Sequence, residues 1–196
     1  MASVLVLLLG IVFPLLAGVA QANDRESHFL ASGELGARYH TGTKGKSWDK
    51  AVGPYAYFQS EARRGALCPN MGVALELITG NATLPSGGVT GTALTGAIYP
   101  GLDVFFTRAT KLQPFVDVHG IASWNYVSLS PVVPATAEKS LALGFGFEAG
   151  IGLHYYYHGG SRAYRVHASY MSYTAKVSEQ TGFQFTGYGL SLGLAF

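Results

Sequence analysis

Along most of this chain apolar residues recur at every second position, in segments of nine to eighteen residues separated by glycine, proline and charge. The segment 141–158 carries the pattern furthest. Leu141, Leu143, Phe145, Phe147, Ala149, Ile151, Leu153, Tyr155 and Tyr157 fall on one face, while Ala142, Gly144, Gly146, Glu148, Gly150, Gly152, His154, Tyr156 and His158 fall on the other. A period of two is that of a β-strand whose faces meet different surroundings. In 29–40, Phe29, Ala31, Leu35, Ala37 and Tyr39 alternate with Ser32, Glu34, Arg38 and His40. Similar segments at 54–62, 71–79, 93–106, 112–126, 162–175 and 182–196 bring the number of strands to eight. Alternation is less clear in 54–62, and Pro100-Gly101 predicts a bulge or bend inside 93–106.

The stretches 41–53, 80–92, 127–140 and 175–182 read as loops, rich in glycine, proline, serine and lysine. The connections at 107–111 and 159–161 are short. Long loops alternating with short turns are what an antiparallel barrel in an outer membrane shows, with the long ones outside. An even strand number puts both chain ends on the periplasmic side.

Residues 1–22 are of another kind. An apolar run from Val4 to Ala20, interrupted by Pro14, leads to Ala20-Gln21-Ala22, the small-x-small pattern of a signal-peptidase site. A secretory signal over 1–22 and a single barrel domain over 23–196 are expected. An uncleaved helix would want about 20 apolar residues without a central proline. Beyond Ala22 no apolar run is long enough for a membrane helix, so a closed barrel is the way left to satisfy every backbone group in lipid. Outward aromatics gather at the strand ends: Phe29, Phe106, Tyr155, Tyr157, Tyr164 and Phe196 on the periplasmic side, Tyr39, Trp124, Tyr126 and Tyr170 on the outer side. Two such belts mark two membrane interfaces.

The last segment, G-F-Q-F-T-G-Y-G-L-S-L-G-L-A-F, places Tyr188, Leu190, Leu192, Leu194 and Phe196 on one face and ends on a bare aromatic. Here the chain resembles the small eight-stranded outer-membrane barrels of the outer-membrane protein A and X and opacity type. The resemblance implies an all-β, eight-stranded antiparallel transmembrane β-barrel in the cell outer membrane of a Gram-negative bacterium. It also implies that the final strand closes the barrel and that Phe196 carries the signal read by the assembly machinery. Outer-membrane lipids and lipopolysaccharide would surround it, and the outer loops could meet a host or surface ligand. The nearest soluble alternative is a secreted lipocalin-like barrel, which would turn its apolar face inward.

Composition supports a lipid-facing surface: only 12% of the residues are charged, with 26 Gly and 12 Tyr. A net charge of +2 argues neither for nucleic acid nor for a strongly anionic partner. The single cysteine, Cys68, can form no internal disulfide.

Polar residues left inside so narrow a barrel include Glu34, Arg38, Glu61, Arg63, Glu76, Asp103, Asp117, His119, Glu148, His154, Arg165 and His167. Eight strands enclose just enough space for side chains to fill. Buried charges must pair, so an internal network built on Glu34, Arg38, Glu76, Asp117, Glu148 and Arg165 is expected to plug the lumen, with Glu148 paired to Arg38 or Arg165. The competing reading is a narrow polar path for water or ions. His154 and His158 sit four residues apart, about 13 Å along a strand, too far to share a metal. No cofactor is expected.

His167-Ala168-Ser169 resembles the His-x-Ser of outer-membrane lipid A deacylases, in which the pair works with a downstream Glu. Glu179 is the sole acid downstream here, and Tyr170-Met171 stands where Asn-Ala usually follows. Alternation turns His167 and Ser169 inward, away from lipid. The chain is therefore expected to be non-enzymatic, with a structural or surface-interaction role; the enzymatic alternative rests on His167, Ser169 and Glu179.

Overall fold

The computed structural model describes residues 28–41, 47–63, 66–84, 87–106, 111–131, 138–157, 162–176 and 182–196. The expected signal segment 1–22, His158 and Glu179 lie outside them. Eight strands follow one another: β1 His28–His40, β2 Ser47–Arg63, β3 Leu67–Leu84, β4 Gly87–Phe105, β5 Leu112–Pro131, β6 Glu138–Tyr157, β7 Arg162–Lys176 and β8 Gly182–Ala195. Each pairs antiparallel with the next, and β8 pairs antiparallel with β1 to close a barrel. At the end of that seam nearest the C-terminus, Ala31 and Phe196 exchange both backbone hydrogen bonds at 2.9 Å.

Cross-strand partners followed once around the wall run from Gly182 through Lys176, Leu143, Trp124, Gly96, Leu75, Ala56 and Leu35 to Leu192. The path returns to β8 ten residues beyond its start. That stagger tilts the strands, by about 35–45° in barrels of this kind, and lets side chains from all eight meet on the axis.

Apolar side chains point outward. Leu35, Phe145 and Leu192 are 72%, 69% and 64% exposed, while Glu34, Arg38 and Arg165 are buried. A lipocalin-like barrel has the opposite arrangement, so that alternative is overturned. At the outer level Tyr39 and Tyr170 are both register partners of Tyr188. At the opposite end, the level expected to be periplasmic, Tyr157 stacks on Tyr164 at 4.6 Å, and Phe106 and Phe196 are exposed.

Two expectations need correction. Much of 41–53, 80–92 and 127–140 is strand, not loop: β2 begins at Ser47, β3 reaches Leu84, β4 begins at Gly87, and β5 and β6 extend to Pro131 and from Glu138. Glycine, serine and threonine look like loop residues in isolation, but an antiparallel ladder is made by backbone groups. Thr79 with Thr92, Asn81 with Thr90 and Thr83 with Gly88 continue it regardless of side chain. Of 175–182, Ala175, Lys176 and Gly182 are also strand. Next, Pro100-Gly101 makes no bulge: β3 and β4 keep one register through Met71 with Pro100, and the β4–β5 register is the same at Ile98 and at Gly101. Partners are lacking only for Tyr99 and Pro100 on the β5 side, which fits a residue with no N–H to give.

The irregularity lies instead in β2, where the register with β3 shifts between Asp49 and Val52 and Lys50 adopts φ 55°. One extra residue exchanges the faces of everything beyond it. Ala51 and Trp48, three apart, therefore both point inward and are fully buried.

Candidate functional site

The barrel interior is layered. Nearest the outer rim is an apolar layer that includes Trp48, Ile78, Val127, Tyr173, Phe183 and Phe185, all buried. Phe185 is central to it, stacked on Tyr173 at 4.7 Å and on Trp48 at 6.1 Å. At the other end, Leu30, Tyr156, Ala163 and Ala195 form a second apolar cluster, and Cys68, Phe105 and Phe115 a third. Polar and charged groups are held between these layers.

Two guanidinium groups organise the polar layer. Arg38 on β1 donates through Nη1 to Glu76 Oε2 at 2.8 Å and through Nη2 to Glu148 Oε2 at 2.5 Å. Its Cζ lies 4.4 Å from the centre of the Tyr55 ring, and His40 shares the carboxylate of Glu76 at 2.7 Å. Arg165 on β7 forms ion pairs with Glu34 at 2.6 Å, Glu61 at 3.0 Å, Asp103 at 3.4 Å and Asp117 at 3.7 Å. The guanidinium lies 4.3 Å above Phe115. His154 Nε2, 3.2 Å from Arg165 Nη1, accepts from it, because a guanidinium can only donate.

Each sequence-nominated residue of the network faces this interior. Arg38 brings together Glu76 and Glu148; Arg165 brings together Glu34 and Asp117. Gln59 and Asn70 donate to Asp103, and Ser191 donates to Glu34. Planar delocalised guanidinium suits such multiple pairing better than a compact ammonium.

Two glycines show why the inner face of β6 and part of β2 are so lean. A Cβ on Gly150 would collide with the His167 imidazole and the Asp117 carboxylate, and one on Gly53 with Glu76. Charged groups lie directly on the backbone there.

Among the described residues six buried carboxylates, Glu34, Glu61, Glu76, Asp103, Asp117 and Glu148, face two arginines and four histidines, His40, His119, His154 and His167. His119 stands 3.6 Å from Asp103 and 3.9 Å from Asp117. No group of three or more His, Cys, Asp or Glu among the described residues has the geometry to hold a metal ion.

His167 points its Nε2 at Asp117, 2.9 Å away, and its Nδ1 at Glu34, 3.6 Å away. Ser169 Oγ is buried with no hydrogen-bond partner among the described residues. Both imidazole nitrogens thus face carboxylates, and His167 and Ser169 are not joined as base and nucleophile. Glu179 lies outside the described residues.

Sequence reasoning missed the apolar layer under the outer rim. Trp48 was hidden by the bulge, whereas Phe183 and Phe185 stood at inward parity in the last segment and could have been read there.

No protein-family model and no curated protein sequence matches this chain. Solved structures do match in shape. Neisserial surface protein A superposes with a TM-score of 0.53 at 12% identity, over 85% of this chain and 95% of the other. The outer membrane protein OprG from Pseudomonas aeruginosa gives 0.51 at 11% identity, over 86% and 95%. This chain has the fold of the small eight-stranded outer-membrane β-barrels.

Proposed function

We propose that this protein is an outer-membrane β-barrel with a structural or surface-interaction role and no catalytic activity, its interior a solid support for the rim. The observation that carries this reading is the layered lumen: guanidinium and carboxylate groups paired across the axis, with stacked aromatics above them and apolar clusters below. A porin keeps a water-filled channel, whereas eight strands enclose just enough space for side chains to fill, and this interior is lined by such side chains. Export would follow cleavage after Ala22, assembly would be directed by the strand ending in Phe196, and the outer connections would meet lipopolysaccharide or a surface ligand.

Planar-bilayer recording of the purified, refolded protein tests it. The expected result is insertion, seen as a shift in gel migration between unheated and boiled samples, without porin-like conductance. Steady channels of porin size in the parent protein would overturn the reading.

A further inference from the structure

The outward face changes character across the seam between β6 and β7 near the outer rim. Register sets Phe147 against Ser172, Phe145 against Thr174 and Leu143 against Lys176. On the next strand Thr186 and Gln184 partner Ser172 and Thr174. At this level β6 therefore shows lipid an apolar column, with Leu143 62% and Phe145 69% exposed, while β7 and β8 show hydroxyls, an amide and an ammonium. Further down the same strands the outward residues are apolar, among them Val166, Ala168, Leu190 and Leu192.

Between the two columns runs a groove of about 630 Å³, lined by Leu141, Leu143 and Phe145 on one side and by Thr174 and Lys176 on the other. Lys176 is the last residue of β7, whereas β6 continues outward to Glu138. The ammonium is thus at the headgroup end of the groove, and the two aromatic and aliphatic side chains paired beside it run toward the bilayer.

Simple acyl chains would leave the Thr174 hydroxyl and the Lys176 ammonium of the groove unmatched, and a soluble polar ligand would leave Leu143 and Phe145 in water. A molecule with an acyl chain, a sugar and a phosphate satisfies both columns at once. Building on the outer-membrane reading above, we propose that this groove binds a phosphorylated glycolipid of the outer leaflet. An acyl chain lies against Leu143 and Phe145, the phosphate meets Lys176, and a sugar hydroxyl meets Thr174. The site belongs to one sector of the wall and distinguishes this lipid from its neighbours.

The experiment uses the refolded barrel, residues 23–196, in neutral detergent, and follows its urea unfolding midpoint as lipid is added. Four probes are compared: bisphosphorylated lipid A, the same glycolipid after phosphatase treatment, phosphatidylglycerol and phosphatidylcholine. A ligand bound only by the native state raises the midpoint in proportion to its affinity. Lipid A is expected to raise it at the lowest concentration. Lys176→Gln should weaken that affinity about five- to tenfold, the effect of one cation at a lipid surface. Thr174→Val should weaken both glycolipids and leave the phospholipids unchanged, and Lys50→Gln, an exposed cation in β2 outside the groove, should change nothing. Equal affinity of lipid A for parent and Lys176→Gln overturns the proposal, as does equal binding of phosphatidylglycerol or of the dephosphorylated glycolipid. Heat-dependent gel migration of each variant reports the barrel separately, so loss of the lipid site is not confused with loss of the fold.

Discussion

Replacing Arg165 by methionine would keep a side chain of similar length over Phe115 while removing the cation that Glu34, Glu61, Asp103 and Asp117 approach within 2.6 to 3.7 Å. Breaking one partner of a buried ion pair costs about 3–5 kcal/mol, because the remaining charge is left in low dielectric. Here four carboxylates lose their shared partner, so the upper end of that range is expected, near 5 kcal/mol. With a urea dependence of about 2 kcal/mol per molar, the midpoint should fall by roughly 2–2.5 M. Unfolding of the protein reconstituted in phosphatidylcholine vesicles can be followed by the fluorescence of Trp48 and Trp124, the two tryptophans of the chain. Adding Asp103→Asn to Arg165→Met should recover part of the loss, since one uncompensated charge is removed with it. A midpoint for Arg165→Met indistinguishable from that of the parent, or a double variant no more stable than the single, would refute the claim that this guanidinium holds the lower half of the lumen together.

Glu148→Ala leaves Arg38 its bond to Glu76 and its place on Tyr55, so a smaller fall, about 3 kcal/mol, is expected in the same titration, with bilayer conductance unchanged. Phe185→Ala removes the ring between Trp48 and Tyr173 and should destabilise by about 3–5 kcal/mol while making Trp48 emission accessible to acrylamide; an unquenched Trp48 would mean that the layer closes without it. Deleting Phe196 removes both backbone hydrogen bonds to Ala31 at the seam and should slow insertion into vesicles, measured as the rate at which the heat-sensitive gel band develops. Ser169→Ala should leave fatty-acid release from lipid A at the background seen with the parent, and Ser169-dependent release would count against both the inward placement and the non-enzymatic reading.

The eight strands and the face each turns inward were legible because the period of two runs through most of the alternating stretches, 54–62 least clearly, and one residue of slip would have put Glu34, Arg38, Glu148 or Arg165 into lipid. Partner choice was less legible. That Arg38 takes Glu76 and Glu148, while Arg165 takes Glu34, Glu61, Asp103 and Asp117, depends on the accumulated stagger around all eight strands, which no single segment encodes. Trp48 escaped for a local reason. Its parity is reset by the extra residue at Lys50, and a lysine with positive φ leaves no periodic trace. Strand ends beyond the bilayer were missed because Thr79, Asn81, Thr90 and Thr92 face water on their outward side and lose the apolar half of the alternation.

The cross-axis pairing also constrains the order of assembly. Arg165 comes from β7 and its acids from β1, β2, β4 and β5; Arg38 comes from β1 and its acids from β3 and β6. No two-stranded hairpin of neighbours contains a matched set. A sheet that had grown from β2 to β6 would hold Glu61, Glu76, Asp103, Asp117 and Glu148 without either guanidinium, and would have to keep that face toward water. Adding β7 and β1 supplies both cations, and closing the ring brings them onto the axis. The last strand-joining event is thus also the one that gives these interior acids their guanidinium partners, so a half-built wall has little to gain by entering the bilayer early.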